Sequence, residues 1–364
     1  MNKIPVRIHL TNIAGAGATQ LVKSLLPALE AGNSTHVSDM YLPSTGVFKD
    51  YCPQQVDTRA ETYRRRLPND LSRIWECLNL LRHFKGDTPL LVLGDIPLAH
   101  VSKQVVFVQT PNLMKTTQVK LSANYARYAI SRALFRLNVK YVDTFIVQTE
   151  VMKSRLLASY PIASEKVLVI PQPVPNWLLN TKLKRVGRTN HQADKLSLFY
   201  PAASYPHKNH QLLAKIEPSE AQSWAVSQLT LTIGANNSPT PNIAWIHSLD
   251  FLSPPAMLKL YSEVDALLFL SLEESFGFPL VEAMYLGLPI ICPDLPYARV
   301  LCGEQAIYFD PNTIVSLKEA ISTLKVKLDQ GWWPDWHEQV AVLPANWQVV
   351  AEQMLVALVN TTHH

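Results

Sequence analysis

The stretch Leu267–Pro289, LLFLSLEESFGFPLVEAMYLGLP, constrains this chain more than any other. The apolar run Ala266–Leu270 reads as a buried parallel strand. Two adjacent acids, Glu273 and Glu274, follow it, and then Ser275-Phe276-Gly277-Phe278-Pro279. A helical pattern opens at Leu280, with Val281, Ala283, Met284 and Leu286 apolar, and closes at Gly287 ahead of Pro289. Proline just before the helical run fixes φ where a helix starts, and glycine just after it suits the C-terminal cap. A glycine-containing loop therefore carries the chain from a strand tip to a helix N-terminus. In an open α/β sheet that crevice is where ligands bind, and the N–H groups of the helix start favour anions. Glu274 stands at its mouth, and Glu282 lies in the first turn of the helix. Carboxylates beside an anion site call for a ligand that also offers hydroxyl groups.

A nucleotide diphosphate-sugar carries both kinds of group. The two acids in E-S-F-G-F-P-L-V-E form an E-x7-E pair with F-G-x-P between them, followed by Glu-Ala-Met in register. This pattern resembles the signature of family 4 glycosyltransferases, which are retaining enzymes. The resemblance implies a GT-B fold: two Rossmann-like, doubly wound α/β domains facing a central cleft, with a C-terminal helix crossing back to the N-domain. It assigns Glu274 to a sugar hydroxyl and Glu282 to the ribose hydroxyls. The loop residues Ser275, Phe276, Gly277, Phe278, Pro279 and Leu280 fall on the donor side.

Size and composition agree with two domains. At 364 residues the chain exceeds one ordinary domain, and each half is long enough for its own core. Hydrophobic residues make up 48% and charged residues 17%, which excludes a disordered chain. No apolar run reaches bilayer length, and MNKIPVRIHL enters a strand without a signal-peptide core. The expected location is the cytoplasm, with peripheral attachment to the inner membrane face as a variant of it. Cys52, Cys77, Cys292 and Cys302 form no C-x-x-C, which fits a reducing compartment and argues against structural zinc. The net charge of +4 hides an asymmetry. Residues 1–180 hold 21 Lys and Arg against 12 Asp and Glu, whereas residues 181–364 hold 12 against 17. A basic first half suits an anionic membrane surface or a lipid-linked acceptor; no motif supports nucleic acid.

The expected boundaries are 1–175 for the acceptor-binding domain, 176–194 for a linker, 195–345 for the nucleotide-sugar-binding domain and 346–364 for the returning helix. In the first half, Val6–Asn12 reads as a strand and Gln20–Glu30 as a helix, joined by a turn containing Gly15 and Gly17. Small residues there permit close backbone approach, although the third glycine of G-x-G-x-x-G is replaced by Gln20. The turn has a plain structural reading, and the resemblance moves it toward the donor diphosphate or the acceptor. Residues 34–57 read as irregular, and Thr58–Lys85 as an amphipathic helix split by Pro68, with Arg59, Arg64, Arg65 and Arg66 at its start. Leu90–Gly94 and Val105–Gln109 read as buried strands. Gln109 stands where many family members have a histidine, and it is placed with Asn112 on the acceptor side. Residues 115–140 form a basic amphipathic stretch with Lys120, Arg127, Arg132 and Arg136. Membrane contact and a solvated outer face are both open readings of it.

In the second half, Leu196–Tyr200, Leu229–Ile233 and Ile243–Ile246 read as strands, and Ser253–Ser262 as a helix capped by Ser253. Lys208, at a helix start beside a strand tip, is placed to neutralise a diphosphate. The resemblance calls for an Arg as well, and Ala202 occupies that position; His207 or His210 could substitute, and each reads equally well as a surface residue. Leu249 and Asp250 fall where the family lines the nucleobase. GWWPDW (Gly331–Trp336) is either an interfacial aromatic patch or packing under a terminal loop.

Transfer through an oxocarbenium-like state needs stabilisation of positive charge on the sugar and negative charge on the departing phosphate. Lys208 and Glu274 are the candidate catalytic residues. No D-x-D motif is present, so neither metal nor cofactor is expected. The donor would be the nucleotide sugar, and the acceptor a glycan or lipid-linked glycan of cell-surface polysaccharide or lipopolysaccharide. A mannose-like hexose is the expected sugar. A non-catalytic nucleotide-sugar-binding partner, or a GT-B epimerase, are the rival readings.

Overall fold

The computed structural model describes residues 3–13, 15–64, 69–115, 128–186 and 194–361. The chain divides into two compact units, one of Met1–Pro173 with Pro344–His364 and one of Val174–Leu343.

The first unit runs β1 (Ile4–His9), α1 (Ala16–Glu30), β2 (Thr35–Pro43), β3 (Arg59–Tyr63), α2 (Asn69–Leu78), β4 (Leu90–Val92), β5 (Gln104–Phe107), α3 (Ala129–Asn138), β6 (Thr144–Val147), α4 (Glu150–Ser159) and β7 (Val167–Val169). The seven strands are ordered β3-β2-β1-β4-β5-β6-β7, and every neighbouring pair is parallel. Because β1 and β4 lie side by side while the chain winds away from them in both directions, the sheet reverses at that point. β4 and β5 are buried throughout, as parallel strands covered on both faces must be.

Two expectations fail here. Residues 34–57 are not all irregular, because Thr35–Pro43 forms a nine-residue strand between β1 and β3. Its polar residues hid it by interrupting the apolar pattern. They are accommodated by partners: Ser38 donates to Asp39 at 2.8 Å, and His36 Nδ1 lies 2.9 Å from Gln55 Oε1. The helix expected from Thr58 instead begins at Asn69, since Arg59–Tyr63 pairs with β2 as an edge strand. Arg65 and Arg66, and Lys120 and Arg127 of the basic stretch, lie outside the described residues.

The second unit runs α5 (Asn176–Leu179), β8 (Leu196–Tyr200), β9 (Val226–Leu231), β10 (Ile246–Ser248), α6 (Pro254–Glu263), β11 (Ala266–Leu268), α7 (Phe278–Leu286), β12 (Ile290–Pro293), α8 (Pro296–Cys302), β13 (Ile307–Phe309), α9 (Ile314–Asp329) and α10 (His337–Ala341). Its six parallel strands are ordered β10-β9-β8-β11-β12-β13, so this sheet reverses between β8 and β11. Part of the expected linker belongs to this unit: Leu178 is buried in its core, and Arg185 Nη1 donates to the Tyr261 carbonyl at 3.1 Å. Ser253 precedes α6 as expected, but its side chain makes no capping bond. The tryptophans of GWWPDW close the C-terminal end of α7. Trp333 Nε1 donates to the Gly287 carbonyl at 2.8 Å and Trp336 Nε1 to the Leu288 carbonyl at 2.9 Å.

The chain then returns to the first unit as α11 (Trp347–Asn360), whose buried face carries Trp347, Val350, Met354 and Leu358. α11 packs on α1, and Gly32, just beyond α1, leaves room for it; a Cβ there would stand 2.8 Å from Leu355 Cδ1. No helix among the described residues is long and apolar enough to cross a membrane.

Candidate active site

The reversal of the second sheet places the loops after β8 and β11 next to each other, at the carboxyl ends of the strands. That is where an open α/β sheet offers a crevice. The β8 loop supplies Lys208 and the β11 loop supplies Glu274. Lys208 Nζ donates to Glu274 Oε1 at 2.5 Å, with the two side chains 16% and 12% exposed. Residues 66 apart in sequence thus meet as one largely desolvated ion pair.

The pair is held from below. The Tyr200 hydroxyl, at the end of β8, donates to the Lys208 carbonyl at 2.7 Å. The Leu272 N–H donates to the His207 carbonyl at 2.7 Å, and buried Ser271 Oγ reaches the same carbonyl at 3.3 Å. The Tyr297 hydroxyl, from α8, donates to the Ser271 carbonyl. Lys208 ends a short 3₁₀ turn (Pro206–Lys208), not the start of an α-helix; left-handed Asn209 then redirects the chain. Burial pushes the Tyr200 and Tyr297 hydroxyls well above the ordinary phenol range, and the Glu274 carboxylate adds to the rise in both. Both tyrosines therefore remain neutral donors.

Both histidines of the β8 loop have lowered basicity. Burial lowers His207 below the ordinary imidazole range, with Lys208 adding to the effect and Glu274 and Glu273 opposing it. Burial, then Lys208 and His207, bring His210 down to about 4. His210 is therefore neutral at pH 7, and its ring lies 5.0 Å from that of Tyr200. Ala202 is buried in the core of the same unit.

The loop after Glu274 has the expected glycine logic. Gly277 adopts a left-handed conformation (φ 90°, ψ 55°) and starts α7, with Pro279 in the first turn. The Gly277 carbonyl accepts from the Leu280 N–H at 2.9 Å and from the Val281 N–H at 3.3 Å, so those two groups turn into the helix. Phe276 is buried and meets Phe278 edge to face at 5.3 Å, which anchors the loop on both sides of the glycine. Leu280 is buried in the core.

Glu282 has a different setting from Glu274. It is buried on α7, and its Oε2 accepts from the Tyr261 hydroxyl at 2.7 Å. Burial raises its carboxyl to about 7, with the Tyr261 hydrogen bond pulling the other way. The two acids of E-x7-E thus differ in chemistry: Glu274 is bound to a cation, whereas Glu282 sits in an apolar setting with a single phenol. Leu249 and Asp250 follow β10, where the Leu249 N–H continues the ladder to the Leu231 carbonyl at 2.8 Å. Asp250 lies over Gly234, at the end of β9, so closely that a Cβ there would meet its Oδ1 at 2.8 Å.

The corresponding tips in the first unit are also polar. Gly15 precedes α1 with φ 87°, which favours glycine; Gly17 has nothing within 4 Å of where a Cβ would be, so no close approach requires it. Gln109 is buried, and its Nε2 donates to the Leu93 carbonyl at 3.0 Å. Asn112 accepts through its carbonyl from Arg132 Nη1 at 3.2 Å. Arg136 Nη2 donates to the Ser159 carbonyl at 3.3 Å, so both described arginines of the basic stretch bond to the protein itself.

Sequence reasoning missed several of these groups. Asp95 accepts from the Gln109 N–H and from Thr110 N and Oγ1 at 2.9 and 2.8 Å, fixing that tip; burial raises its carboxyl despite these bonds. His9, at the end of β1, has its Nε2 3.0 Å from Glu76 Oε1 with both side chains fully buried, and the Thr11 hydroxyl joins them. An available signal was polar residues (His9, Thr11, Asp95) at the ends of apolar strands. Tyr261, buried on α6, carried no signal toward Glu282. No group of three or more His, Cys, Asp or Glu among the described residues could hold a metal ion.

Residues 242–327, which include both acids of the pair, match the family model for glycosyl transferases group 1. The O-antigen chain mannosyltransferase RfbU of Salmonella typhimurium is 23% identical over 207 residues, covering 53% of this chain and 54% of that protein. The serotype-specific mannosyltransferase WbdA of Escherichia coli is 25% identical over 138 residues, 36% of this chain and 17% of that one. The chain thus spans about half or less of the length of these relatives. Among solved structures, a sucrose-phosphate synthase from Thermosynechococcus elongatus has a TM-score of 0.70 at 17% identity, over 98% of this chain and 99% of that one. WaaG, described as a glycosyltransferase of lipopolysaccharide biosynthesis, gives 0.63 at 13% identity over 96% and 98%. Anabaena HepE, in complex with UDP and glucose, gives 0.63 at 14% over 98% and 100%. Residues 242–327 thus match the group 1 glycosyltransferase model, within a chain whose two parallel-sheet, Rossmann-like units have the GT-B fold.

Proposed function

We propose that this protein is a retaining, metal-independent glycosyltransferase. It moves a mannose-like hexose from a nucleotide diphosphate-sugar to a glycan or lipid-linked acceptor in the synthesis of O-antigen or related cell-surface polysaccharide. The observation that carries the reading is the Lys208–Glu274 pair at the reversal of the second sheet, inside the loop system of the matched domain. A donor diphosphate on Lys208 competes with Glu274 for the ammonium. The freed carboxylate then accepts from a sugar hydroxyl, and it opposes the positive charge that develops on the ring. Lys208 stabilises the leaving phosphate in the same step, together with amides of the Gly277–Phe278 turn at the start of α7. Glu282 takes the ribose hydroxyls, and Leu249 and Asp250 border the base. Gln109 and Asn112 stand on the acceptor side. Front-face displacement with retention asks for no strong protein base, which fits an amide at position 109. The mannosyl preference rests on RfbU and WbdA, both named mannosyltransferases.

The test is a panel of labelled nucleotide sugars with extracted lipid-linked acceptors, resolving the anomeric configuration of the product by NMR. Transfer with retention is expected, falling at least about 100-fold in Glu274→Ala, the size of loss typical when one electrostatic stabiliser is removed. Undiminished transfer in that variant, or an inverted product, would overturn the assignment.

A further inference from the structure

The first unit carries a concavity that the proposed reaction does not use. It is an open bowl of about 670 Å³ lined by five cationic side chains, Arg82, Lys85, Lys103, Lys140 and Lys166. Lys103 immediately precedes β5, Lys140 lies shortly before β6, and Lys166 immediately precedes β7. The bowl therefore opens at the amino ends of the parallel strands, at the opposite edge of the sheet from the tips that hold His9, Asp95 and Gln109. Two carboxylates, Asp87 and Asp143, also line it, and Asp143 Oδ2 already accepts from the Gln104 N–H at 2.8 Å. Among the described residues no carboxylate lies within ion-pair distance of any of the five cations.

The backbone beneath the bowl is fixed in an uncommon conformation. Arg82, His100 and Lys103 all have left-handed backbones, with φ of 52°, 57° and 54°. Side-chain-bearing residues seldom adopt it without a surrounding structure that imposes it. The loop between Arg82 and β4 is held from inside by buried Arg7, whose guanidinium donates to the carbonyls of Phe84 (2.9 Å), Gly86 (3.3 Å) and Thr88 (2.8 Å). Like charges gathered around a concavity on a held backbone repel one another, and they focus a positive potential onto whatever anion enters.

We propose that this bowl binds a phosphate-bearing anion, a phosphomonoester or a diphosphate. Lys and Arg side chains supply charge-assisted hydrogen bonds to phosphate oxygens, and five of them converge on one concavity. The group could be carried by a soluble molecule or by a lipid headgroup, and the shared chemistry is the phosphate.

The probes are inorganic pyrophosphate, followed by calorimetry at low ionic strength, and phosphatidylcholine vesicles with and without phosphatidic acid, followed by sedimentation. Lys85→Gln/Lys103→Gln/Lys140→Gln removes three cations of the bowl. Lys23→Gln/Lys49→Gln/Lys153→Gln removes the same charge elsewhere on the first unit. Wild type and the control should bind at least one probe alike, while the bowl variant binds it at least about tenfold more weakly, as expected for loss of charge-assisted contacts. Asp87→Asn should tighten binding a few-fold. Bowl-dependent binding of pyrophosphate alone identifies a soluble ligand, and bowl-dependent sedimentation with phosphatidic acid identifies a headgroup. Absence of binding to both probes by wild type, or equal weakening in the two triple variants, would overturn the proposal. Because the readout is binding and not transfer, it stands or falls independently of the reaction proposed above.

Discussion

At the scale of single residues, the two acids of the E-x7-E pair make opposite demands on their surroundings, and each demand can be measured. Glu274 is neutralised by Lys208, so removing one partner leaves the other charge largely desolvated. Glu274→Ala should destabilise the protein by about 3 kcal/mol, whereas Lys208→Met/Glu274→Gln should cost much less, because it strands no charge. Equal losses by denaturant unfolding would count against a coupled pair. Glu282 is raised to about 7 by burial. A carboxyl raised on folding contributes stability that is complete below its unfolded value, near 4.5, and that is lost as pH rises through about 7. The swing is on the order of 3 kcal/mol. Relative to wild type, Glu282→Gln should therefore gain stability steadily between pH 5 and pH 8, read as melting temperature; parallel curves would contradict this. The presence of both acids was legible in the sequence through their spacing and the F-G-x-P between them. Their partners were not, because Lys208 and Tyr261 lie 66 and 21 residues away.

At the scale of elements, α7 is the best-specified part of the chain, since glycines bound it at each end. Gly277 and Gly287 both have left-handed backbones, with φ of 90° and 78°. A side chain in that region costs about 1–2 kcal/mol. At Gly277 a new Cβ would meet Leu280 Cδ1 at 3.3 Å, a side chain able to shift; at Gly287 it would meet the Arg185 carbonyl oxygen at 2.5 Å, a backbone atom that cannot shift as easily. Gly287→Ala should therefore lower the melting temperature clearly more than Gly277→Ala, and the reverse order would show that this backbone contact yields. Local rules served well here, as they did for α1 and α6, because proline, glycine and apolar periodicity act within a few residues. They failed for β2 and β3. A strand carrying His36, Ser38 and Asp39 has no clear period, and what makes it a strand is parallel pairing with β1 on one side and β3 on the other.

At the scale of the whole molecule, the chain leaves its first unit after residue 173 and comes back to it at residue 344. The returning α11 buries Val350, Met354 and Leu358 completely. Met354→Ala should destabilise the first unit by about 2–5 kcal/mol. Hydrogen exchange should then speed up in α1 and the first sheet while β8–β13 keep their protection; uniform loosening of both sheets would contradict the division into units. The sequence by itself determined the alternation of strands and helices, the glycine-bounded α7 with Glu282 on it and Glu274 on the loop before it, and the basic bias of the first half. These follow from steric preference, capping and period, which act over one or two turns of chain. Tertiary structure alone decided that Lys208 would meet Glu274, that Glu282 would turn to Tyr261, that His9 would lie against Glu76, and that five separate cations would share one bowl. Those encounters depend on where each sheet reverses and on which strand tips it brings side by side, and no local stretch of sequence contains that information.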